Sequence, residues 1–364
     1  MKILYTASTD GHLRAFHRPY LAALAQRGHA VTAAAAGDGR GLPEGVRFLP
    51  VPFSKGMFSP VNLYCAAYLA ALLRRERFAL VLTHTSLAAF FTRLAVIAAG
   101  RPRPRVVNTV HGYLFSDAVP GPRRSLLLAA EKLCAAVTDD ILVMNEEDRR
   151  IAEAHRLCRG CVFFTRGMGV PRMAPPEVSR SEARRRLGVA EDAFVLLYAA
   201  EFSPRKNQRE MLTALARLPE DVRLLLPGDG ALRERCRRQA AALGVAGRVL
   251  FPGQVNDMRP YRQCADLCVS SSRSEGLPFH AVEAMADGLP CLLSAVKGHV
   301  DLLSHGHAGL LYPPGNIDAL CRAVTALRSD PALRASLGAK AARRAEEYAL
   351  DAVMEPILRL YEGR

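Results

Sequence analysis

Two doubly wound α/β domains facing one another across a cleft are what the sequence predicts, and three observations carry that prediction. Short runs rich in Val, Ile, Leu and Ala alternate along the chain with longer amphipathic stretches, the pattern of parallel strands joined by crossover helices. The chain has 364 residues, 50% of them hydrophobic, enough for two ordinary domains each with its own core. A proline-rich stretch without apolar periodicity, residues 171–180, divides the chain near its middle.

In the first half, residues 3–7, 30–34, 80–83, 106–110 and 140–144 read as strands, and 17–27, 61–75, 88–98, 125–136 and 146–154 as helices. In the second half the strands are 194–199, 222–227, 249–251, 267–270 and 290–294. The helices there are 208–216, 231–243, 258–264, 279–286, 317–327 and 331–347. The domains predicted are 1–170 and 181–345, with 171–180 as linker. A terminal helix within 346–364 returns to the first domain. Ligands of open parallel sheets bind beyond the carboxyl ends of the strands. No G-x-G-x-x-G follows the first strand, which disfavours a dehydrogenase-type dinucleotide site.

Composition narrows the setting. No apolar run reaches the roughly 18–20 residues a membrane-spanning helix needs: 61–73 stops at Arg74, Arg75 and Arg77, and 87–99 is broken by Arg93. The opening Met1-Lys2-Ile3-Leu4-Tyr5 enters strand-like sequence with no cleavage pattern, so the expected location is cytoplasmic. The nine cysteines are scattered, and the lone pair Cys158/Cys161 lacks the second ligand pair of a zinc site. They are expected to be buried or surface thiols.

Of the net charge of +14, residues 1–175 carry +11 and the remainder +3. A basic first half fits an anionic partner. Nucleic acid is excluded as the expected partner, because no binding module and no basic–aromatic interleaving is present. The segment 53–58 (FSKGMF), followed by 61–73 and the Arg74/Arg75/Arg77 cluster, has the character of an amphipathic, basic-edged element. It fits the inner face of a membrane, and equally a core helix with a solvated basic end.

The segment 270–287 reads as strand, loop and helix, with Glu275 in the loop and Glu283 eight residues on. Pro278 suits a helix's first turn, and no Ser, Thr, Asp or Asn caps it, which leaves backbone N–H groups for a diphosphate. Gly276 allows close approach. Glu283 is placed to accept hydrogen bonds from ribose hydroxyls and Glu275 from sugar hydroxyls. From spacing alone, Glu275 as a helix cap and Glu283 as a solvated face residue stand equally open.

This block resembles the E-x7-E motif of family-4 retaining glycosyltransferases, whose EGLPxxxxEAMAxGxP pattern it matches from Glu275 to Pro290. Residues 2–21, 110–115 (VHGYLF), 145–148 (NEED), 167–170, 199–208 (AAEFSPRKNQ) and 296–301 (VKGHVD) are similar to the branch that builds capsular and exopolysaccharides. The resemblance implies the GT-B fold and a retaining transfer of a hexose or N-acetylhexosamine from a nucleotide-diphosphate sugar. UDP is expected ahead of GDP, and the acceptor is expected to be an undecaprenyl-diphosphate-linked saccharide or polysaccharide.

It further implies that Lys206, with Arg205, holds the donor diphosphate, and that the backbone of Leu277, Pro278 and Phe279 contacts sugar and phosphates. Glu283 would meet the ribose and Glu275 the sugar, with His111 facing the anomeric centre. Asp10-Gly11-His12 stands where the family has a glycine-rich loop, which puts Gly11 on the donor side and His12 with His84 on the acceptor side. No D-x-D is present, so neither a metal nor another cofactor is expected. Ala200-Glu201-Phe202 departs from the G-R-L of many relatives, and Pro171 from their Asp. His17 is expected on a helix face, His29 in a loop and His280 beside the phosphates, with His299 in a donor loop. Two alternatives share the fold: a nucleotide-sugar 2-epimerase and a non-catalytic sugar-nucleotide-binding subunit.

Overall fold

The computed structural model describes residues 1–54, 56–116, 120–172, 177–303 and 305–363. It divides into two compact units: Met1–Gly169 with Leu350–Arg364, and Val170–Ala349. Four of the ten residues 171–180 lie outside the described ones. Ser179 already caps the helix Arg180–Leu187 by accepting from Glu182 N–H, so helical structure begins inside the segment read as linker.

The first unit is a sheet of seven parallel strands: β1 (Lys2–Thr9), β2 (Ala30–Ala36), β3 (Val46–Pro50), β4 (Leu80–His84), β5 (Arg105–Val110), β6 (Asp140–Val143) and β7 (Val162–Phe164). Their order is β3-β2-β1-β4-β5-β6-β7. Central strands of such a sheet are covered on both faces and so read as continuous apolar runs. Leu4, Val81 and Val106 pack with Leu69 and Leu73 of the helix Pro60–Glu76 and with Phe91 and Ala95 of the helix Ser86–Ala99. Each such side chain contributes about 1.5–3 kcal/mol by leaving water. β3 and β7 are edge strands that the sequence reading did not contain.

The helix expected over 17–27 begins earlier. Thr9 accepts from His12 N–H and starts a helical turn, Asp10–His12; a π-helical segment, Leu13–His17, follows and passes into the α-helix Arg18–Gln26. The helix Leu350–Glu362 also belongs to this unit. Arg27 pairs with Glu355 and Glu362, and Arg105 donates to the carbonyls of Leu360 and Tyr361. Residues 346–349, read with this helix from sequence, stay with the second unit.

The second unit has six parallel strands: β8 (Phe194–Leu197), β9 (Val222–Pro227), β10 (Val249–Gly253), β11 (Leu267–Ser270), β12 (Cys291–Ser294) and β13 (Leu310–Tyr312). Their order is β10-β9-β8-β11-β12-β13. β13 is a further edge strand absent from the sequence reading. A buried cluster of Leu196, Leu224, Val269 and Leu292 with Met211, Leu212 and Val324 forms the larger core. Asp266 ties the helix Arg180–Leu187 to the sheet, accepting from Arg180, from buried Arg184 and from Val195 N–H. The strand order reverses between β1 and β4 in one unit and between β8 and β11 in the other, and a reversal is where such sheets take ligands.

Candidate functional site

In the second unit the loop leaving β8 carries Arg205 and Lys206. It ends at Asn207, whose left-handed backbone (φ 53°) turns the chain into the helix Gln208–Leu215. The loop leaving β11 carries Ser272 and Glu275. Glu275 is 4% exposed, and its carboxylate accepts from Lys206 Nζ (2.6 Å), Arg205 Nη1 (2.6 Å) and Ser272 Oγ (2.5 Å). Burial opposes its ionisation, but Lys206 and then Arg205 override burial and bring the pKa down to about 2. Burial pushes the Lys206 ammonium down, and Glu275 pulls against that. Tyr198 Oη donates to Lys206 O (2.6 Å) and lies 2.8 Å from Ser272 Oγ, fixing both loops to one phenol. Two cations on one carboxylate leave a single positive charge facing any anion brought here.

Leu277 and Pro278 are buried, and Phe279 begins the helix Phe279–Ala286. Its cap residue, Pro278, supplies no side-chain hydrogen bond. Glu275 is therefore a partner of the cations rather than the cap. Glu283, one turn into the helix, accepts from Arg262 Nη1 at 3.1 Å; Arg262, 4% exposed, also pairs with Asp287. Burial raises the Glu283 pKa, with Arg262 acting against it. Glu283 keeps 35% of its side-chain surface open and is thus a held but reachable carboxylate. At Gly298 (φ 78°) a Cβ would sit 2.8 Å from Gly276 O and 2.9 Å from Glu275 O, so only glycine lets that loop press on the Glu275 backbone. His299 is fully buried with Nδ1 2.8 Å from Ser294 O, and burial lowers its pKa to about 4.

In the first unit, β1, β4 and β5 bring four histidines together. His84 ends β4, His111 follows β5, and His12 and His17 flank the π-helical segment. Residues five apart on an α-helix lie roughly 140° apart around its axis. The wider π turn, closing i to i+5, returns His17 to the side of His12, with ring centroids 5.0 Å apart. His17 stands 4.2 Å from His84 and 5.4 Å from His111 by the same measure. His84 Nδ1 lies 3.3 Å from His111 Nε2, and Tyr5 Oη 2.8 Å from His17 Nδ1. Burial lowers the pKa of all four, His12 to about 4, so the cluster is neutral near pH 7.

His17, read as a helix-face residue, is instead fully buried at the centre. The signal for it was the five-residue spacing from His12, which no α-helical face explains. Thr85, next to His84, has φ 63°, strain of about 1–3 kcal/mol for a β-branched residue. Gly11 does not mark a close approach, since a Cβ there would meet only Arg14 (3.8 Å) and Thr9 (3.9 Å). The tight glycine is Gly37 (φ 133°), where a Cβ would lie 2.2 Å from Asp10 Cγ. Asp10 in turn accepts from Asp38 N–H and Gly39 N–H, both at 3.1 Å.

Beside His111 lies a largely apolar cavity of about 450 Å³ that also belongs to the first unit. Phe90, Leu94 and Phe115 line it, with Ser86, Asn108, Thr109 and His111 among its polar members. Phe58 (85% exposed), Leu63 (63%), Leu126 (52%) and Leu114 (48%) border it. Arg93, fully buried, also lines it and is neutralised by a bidentate pair with Glu131 at 3.0 Å. Among the described residues no helix is long and apolar enough to cross a membrane.

Two parallel-sheet units, each with polar loop residues gathered at its strand-order reversal, are the parts of a GT-B fold, and comparison with known proteins identifies a glycosyltransferase. The model of Glycosyl transferases group 1 matches residues 179–344, and that of Glycosyltransferase Family 4 matches residues 20–161. The Bacillus subtilis protein named "Putative glycosyltransferase EpsD" is 31% identical over 100% of this chain and 96% of its own. An Escherichia coli UDP-Gal:α-D-GlcNAc-diphosphoundecaprenol α-1,3-galactosyltransferase is 27% identical, covering 77% of this chain and 72% of its own. The solved structure of Anabaena HepE with UDP and glucose superposes with a TM-score of 0.81 at 21% identity, covering 100% of both chains. That of WaaG, a glycosyltransferase involved in lipopolysaccharide biosynthesis, superposes at 0.78 and 19%, again over 100% of both. The chain belongs to the family-4 glycosyltransferases.

Proposed function

We propose that the protein is a retaining, metal-independent hexosyltransferase of exopolysaccharide or capsule assembly. It moves a hexose or N-acetylhexosamine from a UDP-linked donor to a lipid-linked saccharide at the inner face of the membrane. The observation that carries this reading is the Glu275 carboxylate held at 2.6 Å by both Lys206 and Arg205 beside the start of the helix Phe279–Ala286. The two cations and the helix start neutralise the donor diphosphate as its bond to the sugar breaks. Glu275, kept ionised, accepts from sugar hydroxyls, and Glu283, steadied by Arg262, accepts from the ribose. The attacking hydroxyl comes from the same face as the departing phosphate and gives it its proton, so retention needs no protein nucleophile. Rate then comes from positioning and charge stabilisation.

On the acceptor side the neutral His111 is a hydrogen-bonding group beside an apolar cavity of about 450 Å³, which suits the first isoprene units of a lipid carrier. A UDP-bound likeness and a relative named for a diphosphoundecaprenol acceptor support donor and acceptor classes. The test is a thermal-shift panel of UDP, GDP, ADP and CDP sugars on the wild type and Glu283→Ala. A rise in Tm with UDP sugars alone, lost in the variant, is expected from linkage. No rise with any of them sinks the proposal. A rise without transfer to any lipid-linked saccharide favours the non-catalytic alternative.

A further inference from the structure

The histidine cluster of the first unit holds more nitrogen than the proposed transfer uses. His12, His17 and His111 each offer a ring nitrogen, and these atoms all lie within 4.8 Å of one another. Nε2 of His12, of His17 and of His84 is buried with no hydrogen-bond partner. A buried polar atom left in that state is costly, and two of the three, on His12 and His17, belong to rings of this group and point to a ligand that completes them.

We propose that His12, His17 and His111 form a binding site for one divalent transition-metal ion of the zinc, cobalt or nickel class. Imidazole nitrogen suits these ions, whereas calcium and magnesium seek the oxygen ligands that this group lacks. Metal–nitrogen bonds of about 2.0–2.1 Å in tetrahedral geometry set ligand atoms roughly 3.4 Å apart. The rings therefore close on the ion by about 1 Å or a little more from their 4.8 Å limit, a small side-chain rotation.

The outer support such ligands use is in place. Tyr5 Oη, 2.8 Å from His17 Nδ1, leaves Nε2 of that ring for the ion. His84 Nδ1, 3.3 Å from His111 Nε2, leaves His111 its other nitrogen. His17 is fully buried while His12 and His111 are partly exposed, which gives an entry side. All of these residues belong to the first unit, and Lys206 and Arg205 to the second.

The test uses the full chain, stripped with a chelator and titrated with Co²⁺ in the absence of nucleotide sugar. One equivalent should bind with a visible ligand-field band that Zn²⁺ displaces. His17→Gln and His12→Ala should each weaken Co²⁺ at least tenfold with far-UV circular dichroism unchanged, whereas His307→Ala, exposed on the second unit, should leave it intact. If His17→Gln does not fold, the partly exposed His12 decides. A titration without a saturating one-equivalent step, or unchanged affinity in His12→Ala, overturns the site.

Discussion

In the first unit the loops leaving β1, β4 and β5 gather four imidazoles that burial holds neutral, while in the second the loops leaving β8 and β11 press two cations onto one buried carboxylate. The two sheets share one reversal of strand order. The contrast therefore lives in the loops and not in the fold, as expected where one architecture carries many sites. Charge enters the interior of the first unit as a closed pair, Arg93 with Glu131, and as Asp148, whose carboxylate accepts from Tyr113 N–H and Asn145 Nδ2. In the second it stands beside an uncapped helix start, ready for an anion. The proposed diphosphate donor calls for the second arrangement and the proposed acceptor hydroxyl for the first.

The sharpest way to break this comparison is Lys206→Ala. Transfer should fall about 10²–10³-fold, as for loss of one charge-stabilising donor, measured as kcat with a UDP sugar at saturating acceptor. Next comes Arg93→Ala, which strands Glu131 and should cost about 3–5 kcal/mol. Urea unfolding followed by hydrogen exchange should place that loss in the first unit, with strands β8–β13 unaffected.

A third test is acid. The cluster histidines bind protons in the unfolded chain below about pH 6.5 but not when folded, so the first unit should lose stability as pH falls from 6.5, His12 completing its loss near 4. In the second unit His299 behaves so, and the contribution of Glu275 is lost only as pH falls from about 4.5 to 2. Stepwise hydrogen exchange should show the first unit loosening first and more steeply; equal slopes would remove the contrast. The smallest effect is expected of Phe58→Ser, within about 0.5 kcal/mol in stability because the ring is 85% exposed. It should nevertheless raise KM for a long-chain lipid acceptor and not for a water-soluble analogue.

Much of this was legible in the residues. Buried parallel strands announce themselves as apolar runs, so ten of the strands could be placed from sequence. The Glu275–Glu283 block names its own strand–loop–helix context. β3, β7 and β13, edge strands of three to five residues, were not placed. His17 escaped because a π turn shifts the helical register by one residue. Arg262 as the partner of Glu283, and Tyr198 as the tie between two loops, are meetings of segments 21 and 74 residues apart in the chain. No local pattern encodes such meetings.

The helix Leu350–Glu362 has a consequence for how the molecule comes into being. Its buried Tyr361 has Oη 3.5 Å from Thr109 Oγ1 of β5, the strand that His111 follows. On the ribosome, the second unit is a contiguous stretch that can finish while the first still waits for these late-made residues. The histidine pocket is then the last part to mature, and synthesis that stops before residue 350 yields a finished second unit beside an unbraced first one.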